Sequence, residues 1–295
     1  MTTLPEIATA IVKNTITQSN EDSSRNLFLV GSKSTGKSTL IYNFLDRNDT
    51  PRETLVLEYS FGRKSGQRQG MDKIICHVWE YGSKLQLLKN VLESVPMHKK
   101  SFFIIMIDLS KIKAIWNTLQ TCLESINENT KNTNLQEVII IGGKYDLFNN
   151  YDSDIKKHIC TTIRSVALIN NAHVVFYSSK DVHLVRKTKE ILHNAGFGCG
   201  VVIKEKNINY TKPLAIPKGF DSWESIGVPV SKLEEVKMRH IARIPLEIEV
   251  KEDVSAELQH PHLESVLDSL VALKYEQLRN MESFDSSIND YLMCL

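Results

Sequence analysis

Residues 27–40 read Leu27-Phe28-Leu29-Val30-Gly31-Ser32-Lys33-Ser34-Thr35-Gly36-Lys37-Ser38-Thr39-Leu40. A short apolar run leads into Gly-x-x-x-x-Gly-Lys-Ser, and a helical pattern follows. Strand, loop and helix in that order predict a phosphate site. Gly31 and Gly36 tolerate backbone angles that other residues resist, so successive N–H groups converge on one anion. The helix opening near Gly36 adds unpaired N–H groups and the positive end of its dipole. The spacing assigns Gly31, Ser32, Lys33, Ser34, Thr35 and Gly36 to the cradle, Lys37 to the β/γ-phosphates and the Ser38 hydroxyl to Mg²⁺.

Outward from this loop, strands alternate with helices. Residues 1–25 are polar, with a short amphipathic piece from Ile7 to Ile16, and read as a leader. Leu40, Ile41, Phe44 and Leu45 share one helical face. Thr54–Phe61 is rich in β-formers, and a basic, glycine-bearing hairpin loop joins it to Lys73–Glu80. Helices are predicted over 84–95, 114–126, 153–170 and about 181–194. Ser101–Asp108 and Val138–Ile141 are apolar throughout, as strands covered on both faces are, and His173–Tyr177 completes the set. The fold class is α/β, a mostly parallel sheet with helices on both faces. The domain spans 26–200. Residues 201–295 read as an irregular and helical C-terminal extension, broken early by prolines. Ser231-Lys232-Leu233-Glu234 has capping-box spacing. Leu263, Val266, Leu267, Leu270, Leu273 and Leu278 stripe an amphipathic helix over about 262–280, which either packs on its own domain or docks a partner.

Composition narrows the function. The 295 residues carry 36 basic and 35 acidic side chains, a formal charge of +1, which gives no sign of a nucleic-acid partner. Phe102–Ile107, the longest apolar run, falls far short of the roughly 20 residues that cross a bilayer. Residues 2–9 lack the pattern of a signal peptide, so a cytoplasmic chain without membrane insertion is expected. Five scattered cysteines without a C-x-x-C pair are expected to be reduced. His260-Pro-His262 lacks the cysteine or carboxylate cluster that would make it a metal site.

Two later pieces address a base. Gly143-Lys144-Tyr145-Asp146 follows a buried strand: the Asp146 carboxylate suits the paired N–H groups on the Watson–Crick edge of guanine, and the Lys144 stem suits the ring face. Ser178-Ser179-Lys180 follows the last strand, where a backbone N–H can meet the guanine oxygen. These resemble the [Asn/Thr]-Lys-x-Asp and Ser-Ala-Lys elements of Ras-like GTP-binding proteins, which implies a Ras-like P-loop NTPase fold. Lys144, Asp146, Ser179 and Lys180 are thus the base-side candidates, and GDP or GTP with Mg²⁺ is the expected ligand unless the pocket stays empty. Gly143 departs from the pattern by lacking the side chain that ties base loop to phosphate loop. Ras-like enzymes orient the attacking water with a Gln after Asp-x-x-Gly. Here Glu80 replaces the Asp, Ser83 the Gly and Lys84 the Gln, and a lysine cannot orient water as an amide does. Thr50 and Thr54 are the candidates for the Mg²⁺-binding threonine. No catalytic residue is assigned.

The phosphate loop, Leu57-Glu58-Tyr59-Ser60-Phe61-Gly62-Arg63-Lys64, His77-Val78-Trp79-Glu80 and Ile141–Phe148 together resemble the light intermediate chains of cytoplasmic dynein 2, from about Leu27 to the Gly219-Phe220-Asp221-Ser222 piece. The resemblance implies a non-catalytic motor subunit that binds and stabilises the dynein 2 heavy chain beside other dynein 2 subunits. It implies only indirect contact with microtubules, a role in retrograde intraflagellar transport and cilium assembly, and a place in the cytoplasm, cytoskeleton, cilium and basal body. The alternative is an active small-GTPase-like switch. The exposed basic loop Arg63–Arg68 is expected to be solvated surface.

Overall fold

The structure, a computed structural model, describes residues 24–64, 74–95, 100–129, 136–198, 200–245 and 265–279. Its centre is a seven-stranded sheet of β1 (Ser24–Gly31), β2 (Leu57–Lys64), β3 (Ile74–Tyr81), β4 (Ser101–Asp108), β5 (Gln136–Gly143), β6 (His173–Phe176) and β7 (Ala215–Ile216). The order is β2-β3-β1-β4-β5-β6-β7, with β2 and β7 antiparallel at the two edges and all inner pairs parallel. All eight residues of β4 are buried, as expected where parallel neighbours flank a strand that helices cover above and below.

Alternation sorts the strands' side chains into two cores. Leu27 and Leu29, Phe102, Ile104 and Met106, and Ile139 and Ile141 face α1 (Lys37–Phe44) and α6 (Val182–Phe197). Phe28 and Val30, Phe103, Ile105 and Ile107, and Ile140 face α2 (Leu88–Ser94), α3 (Ile115–Asn129) and α5 (Ser153–Ile169), with the one-turn α4 (Tyr145–Phe148) on the same side. Right-handed crossovers bring the loops after β1, β4, β5 and β6 to one edge of the sheet.

Several expectations shift. The strand predicted at 54–61 forms at 57–64, because Thr54 turns inward and lies 6% exposed while Leu55 and Val56 point to solvent. Gly82 fixes this turn: its N–H donates to the Val56 carbonyl at 2.9 Å, and a Cβ there would sit 1.9 Å from the Thr54 oxygen. Arg63 and Lys64 belong to β2, and residues 65–68 of the basic loop lie outside the described residues. The helix expected at 84–95 is a 3-10 turn, Leu85–Leu87, running into α2.

The larger difference lies past residue 200. The boundary drawn there falls inside a unit that extends to Glu247, with Ile248–Leu295 forming a second. Proline-broken residues 201–229 contribute β7, which pairs with β6, and α7 (Trp223–Ile226). Arg164 of α5 holds this segment: it grips both Asp221 oxygens at 2.7 Å and the Ser225 hydroxyl at 2.8 Å. Next, α8 (Leu233–Arg243) packs on α5 through buried His240, which stacks on His158 and lies tilted against Trp116. Its cap sits one residue later than expected. Lys232 is the N-cap, and its N–H donates to the Glu235 carboxylate at 3.3 Å, while the Ser231 hydroxyl turns back to the Pro229 carbonyl. In the second unit, α9 (Ser265–Arg279) exposes Val266, Leu267, Leu270 and Leu273. Ser24 and Arg25, expected in the leader, belong to β1, while leader residues 1–23, His260–His262, Leu263 and the Leu278 side chain lie outside what the structure describes.

Candidate functional site

The phosphate loop follows from three backbone positions. At Gly31 (φ 147°) a Cβ would lie 2.1 Å from the Met106 carbonyl oxygen, so only glycine lets β1 end against β4. Ser34 (φ 58°) and Gly36 (φ 97°) take left-handed turns, and α1 starts at Lys37. The side chains then lock the loop. Thr35 Oγ1 donates to the Ser32 carbonyl at 3.1 Å, and the Ser32 and Thr118 hydroxyls share a 2.7 Å bond. Lys37 Nζ donates to the carbonyls of Gly31 (3.0 Å) and Ser32 (2.7 Å) from a buried position. Burial pulls its pKa down to about 8, against the opposing charge of Glu80.

Ser38 Oγ donates to Glu80 Oε1 at 2.7 Å. Burial raises the Glu80 carboxyl above its usual range, while the Ser38 bond and the Lys37 charge oppose that rise. Glu58 stands directly across the β2–β3 pair from Glu80, and Thr54 Oγ1 donates to it at 3.1 Å. Of the two candidate threonines, Thr54 is therefore the one at the site, and Thr50 is exposed. Residues 33–39, Pro51–Thr54, Glu80 and Gly82 line a cleft of about 330 Å³. Lys33 and Glu53 meet at its rim, 3.5 Å apart.

These residues fit a nucleotide's phosphates with Mg²⁺. Glycines shape the cradle, Lys37 lies under it, and Ser38 with Glu80 supplies two oxygens of the hard kind that the ion prefers. Beyond the phosphates, Gly82, Ser83 and Lys84 lead into the 3-10 turn, and Lys84 is exposed.

On the base side, Lys144 sits at φ 57° between β5 and α4, and its Nζ donates to Asp108 Oδ2 at 2.6 Å. Asp146 accepts from Ser178 Oγ at 2.7 Å and pairs with Lys180 at 2.9 Å. The Lys180 bond, helped by Ser178, holds the Asp146 carboxyl below its ordinary range. Ser178, rather than Ser179, makes the side-chain contact, and Ser179 is exposed. Gly143 closes directly on the phosphate loop, where a Cβ would lie 3.1 Å from the Thr35 carbonyl oxygen. Sequence reasoning passed over Asp108. A carboxylate ending an all-apolar strand, two residues before Ser110, was the available signal.

Among the described residues, no group of three or more His, Cys, Asp or Glu side chains is arranged to hold a metal, and no helix is long and apolar enough to cross a membrane. Cys76, Cys122 and Cys160 are buried free thiols, each pushed by burial to about 12.

A family model described as "Ras of Complex, Roc, domain of DAPkinase" matches residues 26–146. The chain is 30% identical to the cytoplasmic dynein 2 light intermediate chain 1 of Danio rerio, over 83% of this chain and 80% of the relative. Its counterpart in Bos taurus is 32% identical over 83% and 81%. That in Homo sapiens is 31% identical over 75% and 73%. A solved structure titled "Crystal Structure of the Dynein Light Intermediate Chain's Conserved Domain" aligns with TM-score 0.47 and 12% identity, over 73% of this chain and 89% of that one.

Proposed function

The chain belongs to the cytoplasmic dynein 2 light intermediate chain family, and we propose that it is a non-catalytic subunit that grips the dynein 2 heavy chain. The domain works as a scaffold, supporting retrograde intraflagellar transport and cilium assembly from the cytoplasm, cytoskeleton and ciliary base. Microtubules are reached only through the motor.

The observation that carries the non-catalytic part is local. Lys37 under the phosphate loop and the Ser38–Glu80 pair beside it support the phosphate half of the reading. The residue that should orient a water is exposed Lys84, which has donors only. Positioning is most of what phosphoryl transfer asks of a protein. Guanine nucleotide with Mg²⁺ therefore stabilises the fold by mass action when bound, contributing RT ln(1 + [L]/Kd), and is not consumed. Gly31–Ser38 take the phosphates, Ser38 the ion, and Lys144, Asp146, Ser179 and Lys180 the base.

Single-turnover assays with GTP on the purified chain, run beside gel filtration with a heavy-chain tail fragment, test this. Co-elution with the tail and no phosphate release is the expected result. Rapid GTP cleavage without co-elution overturns the proposal and favours a switch.

A further inference from the structure

The pattern that Gly143 interrupts has an Asn or Thr tying the base loop to the phosphate loop. Here the two backbones touch, and an added side chain would press on the Thr35 carbonyl. The next residue carries the restraint instead. Lys144 adopts φ 57°, ψ 40°, a conformation that costs a non-glycine residue about 1–2 kcal/mol and persists only where its surroundings enforce it. The enforcing group is Asp108, at the end of β4. Its side chain is 5% exposed, and Oδ2 accepts from Lys144 Nζ at 2.6 Å. Ser110 fixes the other oxygen through its N–H (2.9 Å) and its hydroxyl (2.6 Å), so the carboxylate cannot swing away.

Backbone bonds brace both sides of the turn. Leu109 N–H donates to the Gly143 carbonyl at 3.1 Å, and Tyr145 N–H donates to the Tyr177 carbonyl at 3.0 Å. Lys144 is the residue that turns between these braces. Its angle decides where Asp146 points, two residues on and in the first turn of α4.

We propose that Asp108 is the positioning residue of the base loop: through its bond to Lys144 it holds the left-handed turn that aims the Asp146 carboxylate at a purine edge. The inference rests on the nucleotide reading given above. It makes the Lys144 ammonium the handle of the loop, with its stem left for the ring face. A charge-assisted bond with one partner buried is strong enough for this task.

The test uses the full chain and Asp108→Asn, which keeps the acceptor for Ser110 and removes the charge. Fluorescent GDP is titrated, GDP and ADP compete for the site, and hydrogen exchange is read peptide by peptide. The expected result is that Asp108→Asn weakens GDP binding about tenfold. It also narrows the preference for GDP over ADP and speeds exchange at 144–147, with β1 and the phosphate loop unchanged. Lys144→Met, which removes the ammonium and keeps an apolar stem, reproduces the faster exchange if Asp108→Asn fails to fold. Unaltered affinity with unaltered exchange at 144–147 overturns the inference and leaves the nucleotide reading intact. If the unaltered chain takes no guanine nucleotide, that reading falls by itself. Exchange then decides for Asp108: local acceleration supports the positioning role, and its absence overturns it.

Discussion

Two helices of this chain, α3 and α9, have equal length and comparable apolar content, and they end up in opposite surroundings. Along α3, Ile115, Trp116, Leu119, Cys122, Leu123 and Ile126 are buried, and the Trp116 indole N–H donates to Gln120 at 2.8 Å. Along α9, Val266, Leu267, Leu270 and Leu273 are 65%, 44%, 56% and 54% exposed. An apolar stripe encodes a face. What covers that face is decided elsewhere: α3 meets a sheet whose alternation supplies Phe28, Val30, Phe103 and Ile105, whereas the α9 stripe stands exposed. The contrast separates an apolar face that its own sheet buries from one that stands exposed.

The sharpest way to break this contrast is to charge both helices. Leu119→Asp places an unpaired carboxylate in the core and is expected to cost about 5 kcal/mol, leaving little folded protein at 37 °C by circular dichroism. Leu267→Asp with Leu270→Asp should leave the unfolding free energy from urea titration within about 0.5 kcal/mol of the parent. In the docking reading of α9 the pair nevertheless abolishes heavy-chain capture. Equal destabilisation at both sites would erase the distinction.

A second region sharpens the comparison because a charge pair, rather than an apolar face, covers it. Asp221→Ala strands Arg164, which is 9% exposed, and should cost about 3–5 kcal/mol in urea unfolding. Replacing both partners by apolar residues should recover much of that loss.

The third test uses pH. Burial holds His240 at about 4, with His158 adding repulsion, and holds His173 at about 4 despite Glu137. Both values lie below the ordinary 6.5, so the unfolded chain takes up protons first as pH falls. The stability these groups provide is complete above pH 6.5 and is lost between about 6.5 and 4, at up to about 3 kcal/mol per histidine. Urea midpoints at pH 7, 5.5 and 4.5 should fall in that order, and His240→Gln should flatten the decline. The smallest effect belongs to Lys33→Ala, which breaks an exposed pair and should change stability by less than about 0.5 kcal/mol.

The legible parts of this molecule were those where one local rule acts alone. Glycine spacing marked the phosphate loop, and continuous apolar runs marked β4 to the residue. Where two rules compete, sequence misled. Leu55 and Val56 have strand character, yet the close approach of Gly82 to Thr54 pulls the chain off the sheet until Leu57. β7 is two residues long and owes its place to β6 and to the Arg164–Asp221 grip, neither of which leaves a periodic trace. The base side was half legible. Lys144, Asp146 and the Ser178-Ser179-Lys180 piece carry motifs, whereas the bond from Ser178 to Asp146 and the part played by Asp108 are recognisable only once β4, β5 and β6 lie side by side.

Affinity purification of the tagged full chain from ciliated cells, with subunits counted by quantitative mass spectrometry, bears most directly on the scaffold role. A dynein 2 heavy chain recovered in stoichiometric amounts is the expected result. A folded chain recovered repeatedly without any heavy chain would contradict it.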